Sequence, residues 1–207
     1  MQPRRLVLIS SYLLSLLAVG LAVVVWLPSA SSITTYSLFP LLGLIAFGLM
    51  WAHYVSDALR RWYRVPKDAL QSYFQLTSAI VLVCILLHPG LLQLQLYIDG
   101  LGPPPFSFFT IYPSLLERVA IIAGVIALIC FLAFEFRRLY IDRPWWRFVQ
   151  WANIGAMLLI LWHGFILGGE LSSDWFRIVW IGYAITFVLS AVYSHYDKQR
   201  SQHEPTK

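Results

Sequence analysis

The sequence contains little charge. Only 12% of its 207 residues are Asp, Glu, Lys or Arg, whereas 59% are hydrophobic, and the mean hydropathy is +0.69. A water-soluble domain needs more polar surface than this, so the composition predicts an integral membrane protein. The net charge of +5 does not indicate nucleic acid binding, because the basic residues occur in short runs between apolar segments.

Cysteine is nearly absent, and the two that occur, Cys84 and Cys130, both lie inside apolar runs. This placement excludes a disulfide framework and gives no spacing typical of a metal site. The sequence also lacks an internal repeat, a low-complexity segment and an interdomain linker. We therefore expect residues 1–207 to form a single domain.

Long apolar runs are what the sequence does contain. Crossing a bilayer core takes about 20 helical residues. Six segments reach that length, at about 6–26, 36–59, 73–96, 115–136, 148–167 and 175–193. The first follows "MQPRR" and resembles a secretory signal, but "LPSASS" after it is a poor cleavage site, so a retained helix is predicted. The fold class expected is an all-α polytopic membrane bundle of six transmembrane helices.

The loop charges predict how the bundle is oriented. Basic residues precede the first segment, follow the last, and fill the second and fourth connections, and the other connections contain almost none. The basic positions are Arg4, Arg5, Arg60, Arg61, Arg64, Lys67, Arg137, Arg138, Arg143, Arg147, Lys198, Arg200 and Lys207. Because cytoplasmic loops are enriched in Lys and Arg, both termini are predicted to be cytoplasmic.

Four of the five histidines lie in or beside these segments, and only His203 is in the polar tail. His88 is in the third segment and His163 in the fifth, and both segments run from the inner to the outer surface. His53, in the second segment, belongs to the inner half, and His195 lies at the inner edge of the sixth.

His88 and His163 are expected at matching depth. His163 precedes Glu170 by seven residues, roughly 10 Å of helix, and His88 precedes Asp99 by eleven, roughly 16 Å. An intramembrane histidine must face a partner rather than lipid. Two such residues at one depth on two helices suit a six-coordinate b-type haem, whose iron accepts a nitrogen from each. Alternatively, each imidazole bonds a backbone carbonyl or a hydroxyl of a neighbouring helix, relays protons, or binds another metal.

The stretch from the third to the fifth segment resembles the ferric reductase-like transmembrane family. Its matching features are "LLHPGLL", "RVAIIAGVIALICFLAFEFRRLY", the basic "RPWWRFVQW" and "NIGAMLLILWHGFILGG". The family includes the haem-binding subunit of the bacterial methionine sulfoxide reductase system and the membrane cores of ferric reductases and NADPH oxidases. The resemblance covers about residues 40–195. It implies axial haem ligation by His88 and His163, and it suggests the bacterial cytoplasmic membrane as the location.

The chain also departs from that family. Family members commonly have a further histidine 13 or 14 residues from the first, but Gln75 and Gln150 occupy the positions 13 residues before His88 and His163. One haem b is therefore the main expectation. A second haem held by His53 and His195 would abandon the family's ligand pattern. A different role for His53 is pairing with Asp57, at i+4 on the same helical face.

No Gly-rich nucleotide fingerprint follows the last segment, unlike in full-length ferric reductases. An electron-transfer role would therefore need a separate flavoprotein, a quinol or another redox subunit as donor, and the chain is at most the haem-binding subunit of an oxidoreductase.

Two other functions stay open. One is a haem-free membrane bundle, either an assembly factor or a small proton-coupled transporter, although paired carboxylates at mid-depth are lacking. The other is a quinone-reactive cytochrome with Gln93 and Gln95 as polar candidates.

Overall fold

The computed structural model describes residues 2–30, 33–136 and 142–203 and is helical throughout the long apolar segments. Within these residues, six helices are long and apolar enough to cross a membrane. They are α1 (Pro3–Trp26), α2 (Thr35–Trp62), α3 (Gln71–Ile98), α5 (Leu115–Glu135), α6 (Trp146–Leu167) and α7 (Asp174–His203). A short helix, α4 (Phe108–Ile111), lies in the connection between α3 and α5. The predicted fold class is confirmed.

The helix boundaries agree with the predicted segments to within about three residues, except at the end of α7. That helix continues to His203, ten residues beyond the predicted end at 193, because the polar stretch after the apolar run stays helical. The basic positions Arg137, Arg138 and Lys207 lie outside the described residues.

Two helix starts are fixed by reciprocal capping. The hydroxyl of Ser114 accepts from the N–H of Glu117, whose carboxylate accepts from the N–H of Ser114 in return. Thr34 and Ser37 form the same arrangement at the start of α2. Each capping box satisfies two N–H groups that the first helical turn leaves without partners. The cap at Ser114 begins α5 at Leu115, the predicted start of the fourth apolar segment.

The bundle is built around two helical hairpins. α2 packs along α3, and α5 packs along α6. α1 lies against α2, where Gly48 lets the helices approach so closely that a Cβ added there would be 3.0 Å from the Cβ of Ala18. Small residues allow such approach in membrane helices, where lipid supplies no hydrophobic force between helices.

Helix α7 contacts α2 through an aromatic column. Phe47 packs on Trp180 with ring centroids 4.3 Å apart, and Trp51 packs on Tyr183 at 4.6 Å. The indole N–H of Trp51 donates to Thr186 Oγ1 at 2.8 Å. These contacts fix α7 beside the first hairpin and leave an interior space between the two hairpins.

Charged side chains join α2 to α7 at one end of the bundle. Asp197 of α7 lies within 3.4 Å of Arg61 and 3.0 Å of Arg64, and Asp57 binds Arg61 at 2.7 Å. We call this the basic end of the bundle. The opposite end includes Asp99, at the end of α3.

Candidate functional site

His88 lies on α3 and reaches across to α2 within the first hairpin. Its Nδ1 is 2.6 Å from the backbone carbonyl oxygen of Phe39. A carbonyl oxygen only accepts hydrogen bonds, so Nδ1 carries the proton and donates. The neutral ring then has an unprotonated Nε2 with a lone pair.

His163 repeats this arrangement in the second hairpin. It lies on α6, and its Nδ1 donates to the carbonyl oxygen of Ala120 on α5 at 2.8 Å. By the same argument, its Nε2 is unprotonated when the ring is neutral. Neither Nε2 has a hydrogen-bond partner among the described residues.

The two imidazoles meet between the hairpins. Their ring centroids are 6.5 Å apart, and their planes are inclined at 78°. Imidazole nitrogens bind first-row metals such as zinc at about 2.0–2.1 Å, so two rings sharing one ion have centroids about 6 Å apart. The observed separation of the centroids is close to that value. The rings of the two histidines that were expected at one depth thus lie beside each other.

A glycine faces each imidazole from the neighbouring helix. A Cβ added to Gly43 would be 2.8 Å from Cε1 of His88, and one added to Gly124 would be 2.7 Å from Nδ1 of His163. Sequence reasoning missed both glycines. Each is four residues after the residue whose carbonyl its histidine bonds, but those carbonyls are known only from the structure, so the sequence carried no signal for either glycine.

Both histidines line a cavity of about 400 Å³ between the hairpins, which we call the histidine cavity. This volume is within the range of about 300–1,000 Å³ typical of small-molecule and cofactor sites. Its walls are mainly apolar and aromatic, and include Phe39, Phe47, Met50, Phe131 and Trp180. Such walls match the apolar face of a macrocycle.

The few polar side chains of this cavity, apart from the histidines, are Tyr36, Tyr112 and Glu170. The Tyr36 hydroxyl already donates to Asp99. Tyr112 has no hydrogen-bond partner among the residues that the structure describes. Burial, and secondarily Glu117, raises the pKa of Tyr112, so its hydroxyl stays protonated at neutral pH and remains a donor. It is the group best suited to bind a ligand carboxylate.

A second cavity, of about 620 Å³, lies on the side of the basic end, and we call it the basic-end cavity. Met50, Ile85 and Phe131 line both cavities, so one layer of side chains separates them. His53 and His195 both line the basic-end cavity, and the structure thus brings the second predicted pair to one space.

Neither of these two histidines resembles His88 or His163 in its bonding. His53 Nε2 bonds Thr77 Oγ1, whose own hydrogen is donated to the carbonyl of Tyr73, so His53 Nε2 is itself the donor. His195 Nε2 accepts from the side-chain amide of Gln199, 2.8 Å away. Both Nε2 atoms are therefore engaged within the protein.

The carboxylate of Asp57, which was predicted to pair with His53, accepts from Arg60 and Arg61, each at 2.7 Å. These hydrogen bonds are charge-assisted, and both guanidinium groups are always protonated. The pairing of Asp57 with His53 stays a prediction.

The two glutamines suggested for a quinone site differ in their bonding. Gln95 bonds both Thr35 and Asp99. The Oε1 of Gln93 accepts from Ser107, whereas its buried Nε2 has no hydrogen-bond partner among the described residues.

Among the described residues, no group of three or more His, Cys, Asp or Glu side chains is arranged to hold a metal ion. A haem needs only two protein ligands, so the histidine pair is the arrangement that could hold one. Searches of protein-family models, of curated proteins and of solved structures found no match to this chain.

Proposed function

We propose that this chain is a ferric reductase-like membrane b-type cytochrome with one haem b, held between His88 and His163. The observation that carries the proposal is the pair of unprotonated, unpartnered Nε2 atoms on rings whose centroids are 6.5 Å apart. A bis-histidine haem supplies one-electron transfer between ferrous and ferric iron.

Residues of the chain itself would prepare both imidazoles to bind the haem iron. The carbonyls of Phe39 and Ala120 fix the tautomer of each ring and hold Nε2 ready as a ligand, as bonds to the second nitrogen of metal-binding histidines generally do. The apolar walls of the histidine cavity exclude water, and Tyr112 offers a hydroxyl to a carboxylate at its polar side.

A separate donor has to supply the electrons, and a flavoprotein, a quinol or another redox subunit would serve. We place its approach at the basic end, because the basic-end cavity is one side-chain layer from the histidine cavity. This end would face the cytoplasm of a bacterium under the positive-inside rule, with the chain in the cytoplasmic membrane. The acceptor, ferric iron or a partner outside the membrane, would then be reduced at the opposite end.

The test is an absorption spectrum of the purified full-length protein, oxidised and then reduced with dithionite, with the haem extracted and quantified. Expression should be supplemented with a haem precursor so that supply is not limiting. We expect one haem per chain and a low-spin spectrum. His88→Ala and His163→Ala should each lose the haem.

His53→Ala and His195→Ala are the matched controls, and both should retain it. Two haems per chain, falling to one in His53→Ala, would instead establish a second haem at the basic-end cavity. A well-folded protein that takes up no haem would identify a haem-free bundle, in which the carbonyl bonds of the two histidines serve packing alone. Full haem content in His163→Ala would remove the proposed ligand set.

A further inference from the structure

Gly43 and Gly124 each leave a gap on the helix surface that the imidazole of His88 or His163 occupies, and we call each gap a notch. In a helix, the carbonyl of residue i accepts from the N–H of residue i+4, so the carbonyl of Phe39 lies next to Gly43 and that of Ala120 next to Gly124. Any larger residue at i+4 would place its Cβ over the carbonyl. The missing Cβ opens a path by which an imidazole from the other helix of the hairpin reaches the oxygen.

The distances show that each imidazole lies directly in its notch. A Cβ on Gly43 would be 2.8 Å from Cε1 and 2.9 Å from Nδ1 of His88, and one on Gly124 would be 2.7 Å from Nδ1 and 2.8 Å from Cε1 of His163. Attractive contact between carbon atoms requires about 3.5–4.0 Å. An alanine at either position would therefore force the ring to move.

We infer that Gly43 and Gly124 are positioning residues that set the plane of each axial imidazole. This inference rests on the proposed function. The ring cannot swing toward the neighbouring helix without losing its carbonyl bond, and it has that bond only because the notch is empty. The two notches, on separate hairpins, hold the ring planes at 78° to one another. The relative orientation of axial imidazole planes determines the g anisotropy of low-spin ferric haem, so the arrangement has a spectroscopic signature.

The experiment compares Gly43→Ala and Gly124→Ala with Gly90→Ala and Gly155→Ala in the full chain. The two control glycines lie in α3 and α6, the helices that carry the histidines, and a Cβ at either would meet nothing within 4 Å. Alanine is favoured over glycine in a helix interior by about 1 kcal/mol, so any propensity effect has the opposite sign to the expected loss.

In the two notch variants we expect haem affinity to fall about 10- to 100-fold, the usual effect of disturbing the partners of metal ligands. The haem that remains bound should show a shifted largest g value in the electron paramagnetic resonance spectrum of the ferric form. Both control variants should match the wild type. Unchanged haem content and an unchanged spectrum in both notch variants would overturn the inference, as would equal losses in the controls.

A haem-free readout separates positioning from general packing. The apo form of Gly43→Ala should have a lowered thermal midpoint, and adding the same change to His88→Ala should lower it no further, since no ring remains to be displaced. The same cycle applies to Gly124 and His163. An equal loss in both backgrounds would refute positioning. If the wild-type protein binds no haem, the proposed function itself is refuted. If the wild-type protein binds haem and the notch variants are unaffected, only this inference is refuted.

Discussion

At the scale of single residues, the histidine pair was predictable but its setting was not. An ionisable side chain inside an apolar run is conspicuous, and residue spacing gives its depth. The carbonyls of Phe39 and Ala120 and the two glycines lie on other helices, and their position depends on helix rotation. Apolar residues surround each membrane helix on all sides, so no polar face in the sequence fixes that rotation. For Asp57, sequence reasoning considered His53 as a neighbour and omitted the two arginines that bind its carboxylate.

Tyr112 provides a test, at this scale, of the proposal that the histidine cavity binds a ligand with a carboxylate group. Tyr112→Phe removes the one hydroxyl of the cavity without a partner among the described residues, while keeping the ring. We expect haem affinity to fall by about threefold to tenfold, since a hydrogen bond is worth about 0.5–1.5 kcal/mol. The measurement is a haem titration of the apoprotein. Tyr97→Phe, at an exposed position of α3 outside the cavity, is the control, and a loss of equal size there would contradict the assignment.

Asp99 gives a prediction of pH dependence. The hydroxyl of Tyr36 and then the amide of Gln95 hold the pKa of this carboxyl below its usual value. The folded state therefore binds the proton less readily than the unfolded state, so the carboxylate stabilises the fold above its usual pKa. This contribution is lost as the pH falls through the lowered value.

The check is thermal unfolding of the wild type and of Asp99→Asn at pH 7 and at pH 3. The wild type should be the more stable at pH 7, and the difference should shrink at pH 3. A difference that grows on acidification would show that the sign is wrong.

At the scale of secondary structure elements, the sequence was informative wherever the signal was local. The capping box at Ser114 begins α5 where predicted, and the six apolar runs became the six long helices. The end of α7 was missed because it depends on a distant contact. Asp197 binds Arg61 and Arg64 of α2, and this holds the polar end of the helix against the bundle.

That contact predicts a measurable loss of stability. Asp197 is buried, with a side chain only 10% exposed, whereas Arg64 is mostly exposed and adds little. Asp197→Asn should destabilise the protein by about 1–3 kcal/mol, chiefly because Arg61 loses a charged partner in a poorly solvated position. The unfolding free energy in mild detergent measures this.

The control for this change is Asp68→Asn. Asp68 pairs with Arg4 at 3.7 Å, with both side chains more than 60% exposed, and such surface pairs contribute about 0–1 kcal/mol. If both substitutions cost the same, the α2–α7 contact has no special structural importance.

At the scale of the whole molecule, the orientation in the membrane is a prediction that the helix bundle does not test. A fluorescent protein fused after Lys207 should fluoresce in bacterial cells, and alkaline phosphatase inserted between Gly102 and Pro103 should be active, because phosphatase folds only outside the cytoplasm. The loop charges support this arrangement. The reverse pattern of reporter activities would place the basic end outside and invert the proposed direction of electron flow.

The layer of side chains shared by the two cavities also bears on whether ions can cross the bundle. Met50, Ile85 and Phe131 are each at most 8% exposed, and all three are apolar, so they offer a hydrated ion no substitute for its water. Three apolar side chains between the two cavities are therefore a barrier to hydrated ions. Under the proposed function, an electron, which needs no hydration shell, would be the charge that crosses this layer.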